Sequence, residues 1–341
     1  MVTVKEVAQR ANVSPATVSR VINAAHNVSP EIKERVLQAI KDLNYFPNHA
    51  ARSLVRRQAG AIAVLLRNLH HPYYIDLIRG FEASAAESAR SIIFCSLGNE
   101  QDYRDRYIQF LTNGISDGII LYGSLFSDRP IIEHLSSVQF PFLLIENNFE
   151  HLGLNQVLVN NMDGAKHAVE YLIKKGHKRI SLFMGDPNKK VHLERFNGYT
   201  QTMQKFGLPI AEDSIKNIYM NYSAAFNIAR DMMKQDKAKR PTAVFAINDR
   251  VATQIIMGVQ SMGFSVPEDL SVIGFDSQRL FDDGYKGPAI TSIKQPLFEI
   301  GRDSINILTG ILEGTVTTPF SKTYETQLIE GETVSAPHDE K

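Results

Sequence analysis

The sequence of 341 residues has few of the features that mark a secreted, metal-binding or membrane protein. It contains a single cysteine, Cys95, so an intrachain disulfide is excluded, and no metal-ligand spacing surrounds that residue. No run of eighteen apolar residues predicts a membrane span, and the N-terminus has polar helix signals in place of a secretory signal peptide. These absences favour a cytoplasmic protein of two or three domains, without a metal site or a cofactor.

The net charge of zero hides an uneven distribution. Residues 1–60 contain nine Lys and Arg residues against four acidic residues, which gives +5 and leaves −5 for the remainder. A small basic segment attached to a mildly acidic body is typical of a polyanion-binding module, although many solvated surfaces are also locally basic.

Three short helices are expected at the N-terminus. Thr3 and Glu6 have the T-x-x-E spacing of a capping box, which predicts a first helix that ends at Asn12. The pairs Ser14-Pro15 and Ser29-Pro30 each place a capping serine before a proline at the first helical position, where the missing N–H has no cost. The apolar spacing after each pair predicts a second and a third helix.

Two short helices joined by a tight turn and closed by a third predict a helix-turn-helix domain. The outward face of the second helix has no carboxylate, and Arg20 on it is long enough to reach a guanine edge or a phosphate in the major groove. A three-helix cap with a solvated polar face fits the same pattern, so the pattern alone leaves both interpretations open.

The segments VTVKEVAQRANVSPATVSRVIN and LNYFPNHAARSL resemble the DNA-binding head and hinge of the LacI/GalR transcriptional regulators at nearly every position. One departure is Asn12, where the family more often has Gly. The resemblance implies a homodimer that binds double-stranded palindromic operator DNA. It implies that base edges are read by Pro15, Ala16 and Arg20, and that phosphates are contacted by Ser14, Thr17, Ser19, Asn23 and Ser29.

The segment NHAARSLVRR after Pro47 has the length of about two helical turns, and so short a helix is marginal alone in water. By the resemblance it is a hinge helix that pairs with its twin in the minor groove. Leu54 is then the apolar wedge between base pairs, with Ala51 beside it and Asn48 at its start. A basic linker with Leu54 packed on the core is the other interpretation.

From residue 60, short apolar runs alternate with amphipathic segments, which predicts parallel sheets with helices on both faces. Seven strands suit two such units better than one. Strands are predicted at 61–66, 91–96, 118–122, 142–145, 179–184, 242–247 and 270–275, and helices at about 73–88, 102–113, 163–175, 193–206, 223–235, 249–262 and 297–312.

The order of these segments also resembles the core of the same family, which is like the periplasmic sugar-binding proteins. We therefore expect a small all-α helix-turn-helix domain at 1–46, a hinge helix and linker at 47–59, and an α/β core of two doubly wound lobes at 60–341. The first lobe is expected at about 60–160 plus 292–320, and the second at about 161–291 plus 321–341.

Several polar residues follow the apolar runs, at the strand ends where open parallel sheets bind ligands. Arg67 and Asn68 follow the first run, and Glu146, Asn248 and Asp276 follow later ones. For any one of them a strand-end cap or a surface turn is the simpler explanation. Their occurrence together, at equivalent strand ends, favours a ligand site.

The resemblance implies that a small-molecule effector, of the carbohydrate class, is held by Arg195, Asn248 and Asp276 and covered by Tyr222. Tyr73 and Tyr74 are expected at the mouth of the first lobe. Arg67 stands where many members of the family have Pro. If Arg67 points into the cleft, an anionic effector such as a sugar acid or sugar phosphate is favoured; if it pairs with Glu146, it carries no information about charge.

The leading hypothesis is a transcriptional regulator, expected to be a repressor, in which closure of the cleft on an effector moves the hinge helices and changes DNA affinity. The alternative is a cytoplasmic sugar-binding protein whose head is only a cap. An enzyme is not expected, because the sequence lacks the G-x-G-x-x-G, G-x-x-x-x-G-K-[ST], G-x-S-x-G and H-E-x-x-H motifs.

Overall fold

The computed structural model describes residues 2–22, 28–45, 58–97, 101–123, 128–146, 149, 152–219, 221–277 and 285–337. Contacts within the chain divide it into two units, residues 1–59 and residues 60–341. Across these described ranges, no helix is long and apolar enough to cross a membrane.

The described part of the first unit consists of three helices, whose starts are fixed by their caps. The expected capping box is present at the start of α1, because the Thr3 hydroxyl accepts from the Glu6 N–H and the Glu6 carboxylate accepts from the Thr3 N–H. Asn12 ends this helix in the left-handed conformation, with φ of 52°. The helices are α1 (Val4–Ala11), α2 (Pro15–Ile22) and α3 (Pro30–Asp42).

The apolar stripes of these helices form one small core. Arg35 of α3 also ties the helices together, since its guanidinium donates to the carbonyl oxygens of Ala11 and Asn12 at 2.6 and 3.1 Å. Both carbonyls lie at the C-terminal end of α1, where helices leave acceptors unpaired. The buried core residues are Val7, Ala8, Ala11, Val18, Val21, Val36, Ala39 and Tyr45.

The described residues of the second unit form two six-stranded sheets. The first has the order β11-β5-β4-β3-β1-β2 and is parallel throughout; the second has the order β12-β10-β9-β8-β6-β7 and is parallel except for β12. The strands are β1 (Ala61–Leu66), β2 (Ser91–Ser96), β3 (Gly118–Tyr122), β4 (Phe142–Ile145), β5 (Gln156–Val159), β6 (Ile180–Met184), β7 (Ile215–Asn217), β8 (Ala243–Ala246), β9 (Ser271–Asp276), β10 (Thr291–Lys294), β11 (Ser321–Tyr324) and β12 (Gln327–Ile329).

Helices cover both faces of each sheet, which explains why the strands are continuous apolar runs. Strand β1, for example, is buried along its whole length, and its side chains enter a separate apolar cluster on each face. The helices are α4 (Ile75–Glu87), α5 (Gln101–Thr112), α6 (Arg129–Ser137), α7 (Asn161–Lys174), α8 (Lys190–Lys205), α9 (Tyr222–Met233), α10 (Asp249–Gln260) and α11 (Leu297–Leu312), with short 3-10 turns at Pro72–Tyr74 and Glu212–Ser214.

We call the first sheet with its helices lobe one, and the second sheet with its helices lobe two. The chain crosses from lobe one to lobe two at Asn160, returns at Gln295-Pro296, and crosses again at Glu325-Thr326. Two of these crossings are joined, because the Asn160 side chain donates to the Glu325 carboxylate at 3.1 Å.

The expected lobe boundaries were wrong at two strands. Residues from 292 were assigned to lobe one, but β10 pairs with β9 and β12 in the second sheet. Residues from 321 were assigned to lobe two, but β11 pairs with β5 in the first sheet. The sequence SKTY of β11 contains no apolar run, and three of its four residues are exposed. Nothing in this sequence therefore indicates which sheet the strand joins.

Candidate functional site

A cavity of about 250 Å³ lies at the carboxyl ends of strands from both sheets. It is open to solvent and enclosed by residues of lobe one and lobe two. All nine residues that the sequence analysis assigned to an effector site line this one cavity: Arg67, Asn68, Tyr73, Tyr74, Glu146, Arg195, Tyr222, Asn248 and Asp276.

Arg195 is the best-anchored polar side chain in the cavity. Its Nε donates to Asn161 Oδ1 at 3.0 Å, Nη1 to the Ile247 carbonyl at 2.7 Å, and Nη2 to Asp276 Oδ1 at 3.0 Å. The guanidinium also lies over the Phe275 ring, 3.6 Å from its centroid. With every nitrogen engaged and the residue 4% exposed, Arg195 is a fixed positive charge in the wall of the cavity.

Glu146 is a buried carboxylate at the end of β4. Its two oxygens accept from the Val159 N–H at 2.7 Å and from the Asn161 side chain at 3.0 Å. Burial is the largest influence on this group and raises its pKa to about 7, helped by the charge of Glu194 and opposed by that of Arg195. Glu146 therefore titrates close to neutral pH.

Two carboxylate residues of the cavity have an unusual backbone conformation. Glu146 and Asp276 have φ of 57° and 96°, in the left-handed region that residues with a Cβ rarely adopt. Both residues follow the last apolar residue of a strand, where the chain turns into a loop. Backbone strain of this kind persists only where the surroundings hold it, and it is concentrated at functional sites.

Aromatic rings line the cavity from both lobes. In lobe one, Tyr73, Tyr74 and Tyr122 pack edge to face, with centroids 5.3 to 6.0 Å apart. In lobe two, Tyr222 is half-buried at the start of α9, and the Arg250 guanidinium lies 4.3 Å from its ring centroid. Burial raises the pKa of all four phenols, so they are uncharged at neutral pH.

Asn248 has a capping role as well as a place in the cavity. Its Oδ1 accepts from the Val251 N–H at 2.9 Å and so caps α10. Asn248 therefore caps a helix and also lines the cavity.

Arg67 lines the cavity, but it does not pair with Glu146. Its Nη2 forms an ion pair with Asp128, and its Nε donates to the Gly123 carbonyl at 3.2 Å. The expected alternative of an Arg67–Glu146 pair is therefore wrong. The physical reason is that the Glu146 oxygens are taken by Val159 and Asn161, whereas Asp128 is almost fully buried beside Arg67 and Arg104.

The second candidate surface is the outward face of α2. Ser14, Pro15, Ala16, Ser19 and Arg20 are exposed, Thr17 is half-buried, and Ser29 is exposed at the start of α3. Ser14 and Ser29 also act as the expected caps, with Oγ accepting from the N–H of Thr17 and of Ile32. Asn23, Asn48, Ala51 and Leu54 lie outside the described residues.

Both parts of the chain match known families. Residues 59–328 match the family described as periplasmic binding proteins and sugar binding domain of LacI family, and residues 3–48 match bacterial regulatory proteins, lacI family. The chain belongs to the LacI family. It is a DNA-binding transcriptional regulator with a small-molecule-binding core.

Relatives in this family match nearly the whole length of this chain. Catabolite control protein A of Priestia megaterium is 31% identical over 90% of this chain and 92% of its own. The HTH-type transcriptional repressor CytR of Escherichia coli (strain K12) is 30% identical over 92% of this chain and 90% of its own. The solved structure of the lac repressor dimer bound to operator and the anti-inducer ONPF matches with a TM-score of 0.86 at 25% identity, covering 98% of this chain and 99% of that one.

The LacI-family cavity also contains residues that sequence reasoning missed. Tyr122 is the last residue of the predicted strand GIILY, so the rule that selected the other strand ends could have found it. Lys189 and His192 belong to the loop after β6 and the first turn of α8, which the same rule also indicates. Gln295, which bonds to the lining residues Tyr73 and Asp276, had no such signal, because its position depends on which sheet β10 joins.

Gln295 connects the two lobes of this LacI-family protein. Its Nε2 donates to Asp276 Oδ1 at 2.7 Å in lobe two, and its Oε1 accepts from the Tyr73 hydroxyl at 3.1 Å in lobe one. The residue is 3% exposed and lies at a crossing point of the chain. A continuous polar network therefore runs from Tyr122 and Tyr73 through Gln295 to Asp276 and Arg195.

Proposed function

We propose that this protein is a homodimeric transcriptional repressor of palindromic operator DNA, whose DNA affinity changes when a small carbohydrate-class effector occupies the cavity. The observation that carries the proposal is the polar network around Arg195 and Asp276, because it lines the cavity and also links both lobes. Two structural relatives support it: the lac repressor dimer bound to operator, and a regulator, CelR, in complex with cellobiose.

The chemistry of the cavity suits a polyhydroxylated ligand. Adjacent hydroxyl groups can donate to the carboxylates of Asp276 and Glu146 and accept from the donors around them. The rings of Tyr74 and Tyr222 offer apolar surfaces from opposite lobes to the C–H faces of a sugar. In this proposal Asn68, Tyr73, Arg195 and Asn248 complete the contacts.

The proposed coupling passes through the crossings between the lobes. A ligand that contacts both lobes binds the closed arrangement more tightly, and differential affinity is what shifts a two-state equilibrium. Gln295 shares one amide between lobe one and lobe two, so closure changes its geometry directly. Residues 47–59 would then transmit the change to a DNA-binding domain at residues 1–46.

On the DNA, we assign base reading to Pro15, Ala16 and Arg20, and phosphate contacts to Ser14, Thr17, Ser19, Asn23 and Ser29. Pro15 and Ala16 have no side-chain donor, so Arg20 supplies most of the hydrogen-bonded discrimination. Asn48, Ala51 and Leu54 are assigned to the hinge helix in the minor groove.

We assign no catalytic activity to this protein, since its relatives are regulators, and we place its action in the cytoplasm, where bacterial DNA lies. The test starts from purified full-length protein and a pool of random duplex DNA. We expect enrichment of a palindromic site whose binding weakens steeply with salt. The variant Leu54→Ala should weaken binding to that site and leave ligand binding unchanged; enrichment of no sequence would contradict the proposal.

A further inference from the structure

The charged groups that line the cavity are not equally satisfied by the protein. The carboxylate of Asp276 already accepts from Arg195 and Gln295, and that of Glu146 from Val159 and Asn161. Lys189, by contrast, is half-buried in the wall and has no ion pair within 4.0 Å among the residues that the structure describes. Burial of an ammonium group without an anion beside it is unfavourable.

A second cation lines the cavity from the other lobe. The Nε and Nη2 of Arg67 are engaged by Gly123 and Asp128, but its Nη1 has no hydrogen-bond partner in the described parts of the chain. Arg67 follows β1 of lobe one, whereas Lys189 precedes α8 of lobe two.

The cations in the cavity wall repel one another. Burial is the largest influence on the pKa of Lys189 and lowers it. The charge of Asp186 opposes this effect from beyond contact distance, the positive charges of Arg67 and Arg195 lower the pKa further, and Asp276 raises it. The start of α8 adds to the positive potential, because the helix has no side-chain cap and no acidic residue in its first turn. His192 does not compensate, since burial lowers its pKa to about 3 and its Nδ1 bonds to the Asp186 carbonyl, so the ring is neutral.

We propose that the effector carries an oxyanion, a phosphate or a carboxylate, which is held between Lys189 of lobe two and Arg67 of lobe one. This inference rests on the proposed function, because it specifies the chemistry of the effector in the same cavity. An oxyanion accepts from both cations, and charge-assisted hydrogen bonds are about twice as strong as neutral ones. Binding replaces repulsion between the lobes by two attractions, so it favours closure.

The first test uses inorganic phosphate with the full-length protein, and chloride at equal ionic strength as the reference. We expect phosphate to raise the Tm of the wild-type protein above that in chloride, and to lose this effect in Lys189→Met. The matched control is Lys178→Met, the same substitution at an exposed lysine outside the cavity, which should keep the effect. Without ligand, Lys189→Met should melt no lower than wild type, so a lost effect cannot be attributed to misfolding. A phosphate effect that is absent, or equal in wild type and Lys189→Met, overturns the inference.

The second test compares matched ligands: glucose, gluconate and glucose 6-phosphate, and ribose with ribose 5-phosphate. The inference requires that the anionic member of a set binds more tightly, and that Lys189→Met weakens its binding about ten- to hundredfold. Tighter binding by gluconate identifies a carboxylate effector, and tighter binding by the phosphate esters identifies a phosphate effector. Equal or tighter binding of the neutral sugars overturns the inference that the effector is an anion, and it leaves the proposed function intact. The proposed function fails separately, if the protein selects no DNA sequence.

Discussion

The Tyr73 hydroxyl and the Gln295 side-chain carbonyl are 3.1 Å apart, and this hydrogen bond joins lobe one to a crossing point of the chain. The amide nitrogen of the same Gln295 bonds to Asp276 at 2.7 Å. One side chain is therefore shared between a tyrosine of lobe one and a carboxylate of lobe two. Both hydrogen bonds of this side chain therefore lie at the boundary between the lobes.

This relationship can be measured with a double-mutant cycle. Gln295→Met keeps most of the volume of the side chain and leaves the Tyr73 hydroxyl and the Asp276 carboxylate each short of a partner. We expect it to lower the free energy of unfolding by about 1–3 kcal/mol. Tyr73→Phe removes the other partner, and denaturant unfolding of both single variants and the double variant should give a coupling energy of about 0.5 kcal/mol or more. Additive effects would show that the bond contributes nothing.

Arg195 should be required both for stability and for ligand binding. Arg195→Met removes the buried ion pair between Arg195 and Asp276, so we expect a loss of about 3–5 kcal/mol of stability and no detectable binding of the ligand. Lys205→Met on the same helix is the matched control, because Lys205 is exposed and pairs with Glu170 at the surface; its effect should stay below about 1 kcal/mol. Equal effects of the two substitutions would contradict this reading of the site.

Glu146 gives a pH dependence with a defined sign. Burial raises its pKa to about 7, above the usual 4.5, so the folded protein binds this proton more tightly than the unfolded chain does. Its contribution to stability is fully present below about pH 4.5 and is lost as the pH rises through 7, by a total of about 3 kcal/mol.

The variant Glu146→Gln isolates this contribution, because glutamine cannot ionise. Its lost hydrogen bond costs the same at every pH, so the informative quantity is the difference in stability between the two proteins. We expect that difference to shift in favour of Glu146→Gln between pH 5 and pH 8, as measured by urea unfolding. A difference that stays constant over this range would mean that Glu146 titrates normally.

Two arginines of the DNA-binding unit should separate recognition from stability. Arg20 is exposed on α2, so Arg20→Met should leave the Tm unchanged and weaken binding to the selected DNA site by about 1–3 kcal/mol. Arg35 bonds to two carbonyls at the end of α1, so Arg35→Met should lower the Tm of this unit. An unchanged DNA affinity of Arg20→Met would show that Arg20 does not contribute to the DNA interface.

Much of the fold could be predicted because helices cover both faces of each sheet. The predicted strands at 61–66, 91–96, 118–122 and 142–145 have the bounds of β1 to β4, since each is built around a short apolar run whose side chains pack into the apolar clusters on the two faces of the sheet. The described strands β5, β7, β10, β11 and β12 were not predicted. Strands β7, β11 and β12 lie at sheet edges and are short and largely polar or exposed, and β5 and β10 are four-residue strands that contain polar residues. The positions of these strands are set by hydrogen bonding to neighbouring strands, and this pairing cannot be read from a single sequence.

The site shows the same division. Strand-end residues such as Asp276 could be found from their position after apolar runs. The ion pair of Arg67 with Asp128 joins residues 61 positions apart, and it could not be read from either neighbourhood. The position of Gln295 likewise depends on where the chain crosses between the lobes, which neighbouring residues do not indicate. Contacts set by tertiary packing are therefore what the sequence analysis missed.

The most direct test of the central claim is the affinity for the selected DNA site, measured by fluorescence anisotropy with and without the compound that binds the cavity most tightly. Coupling between the two sites should change the Kd for DNA by about 5- to 150-fold in the wild-type protein. The change should be lost in Arg195→Met, provided that this variant is folded at the assay temperature. A compound that saturates the wild-type cavity and leaves the DNA affinity unchanged would contradict the account.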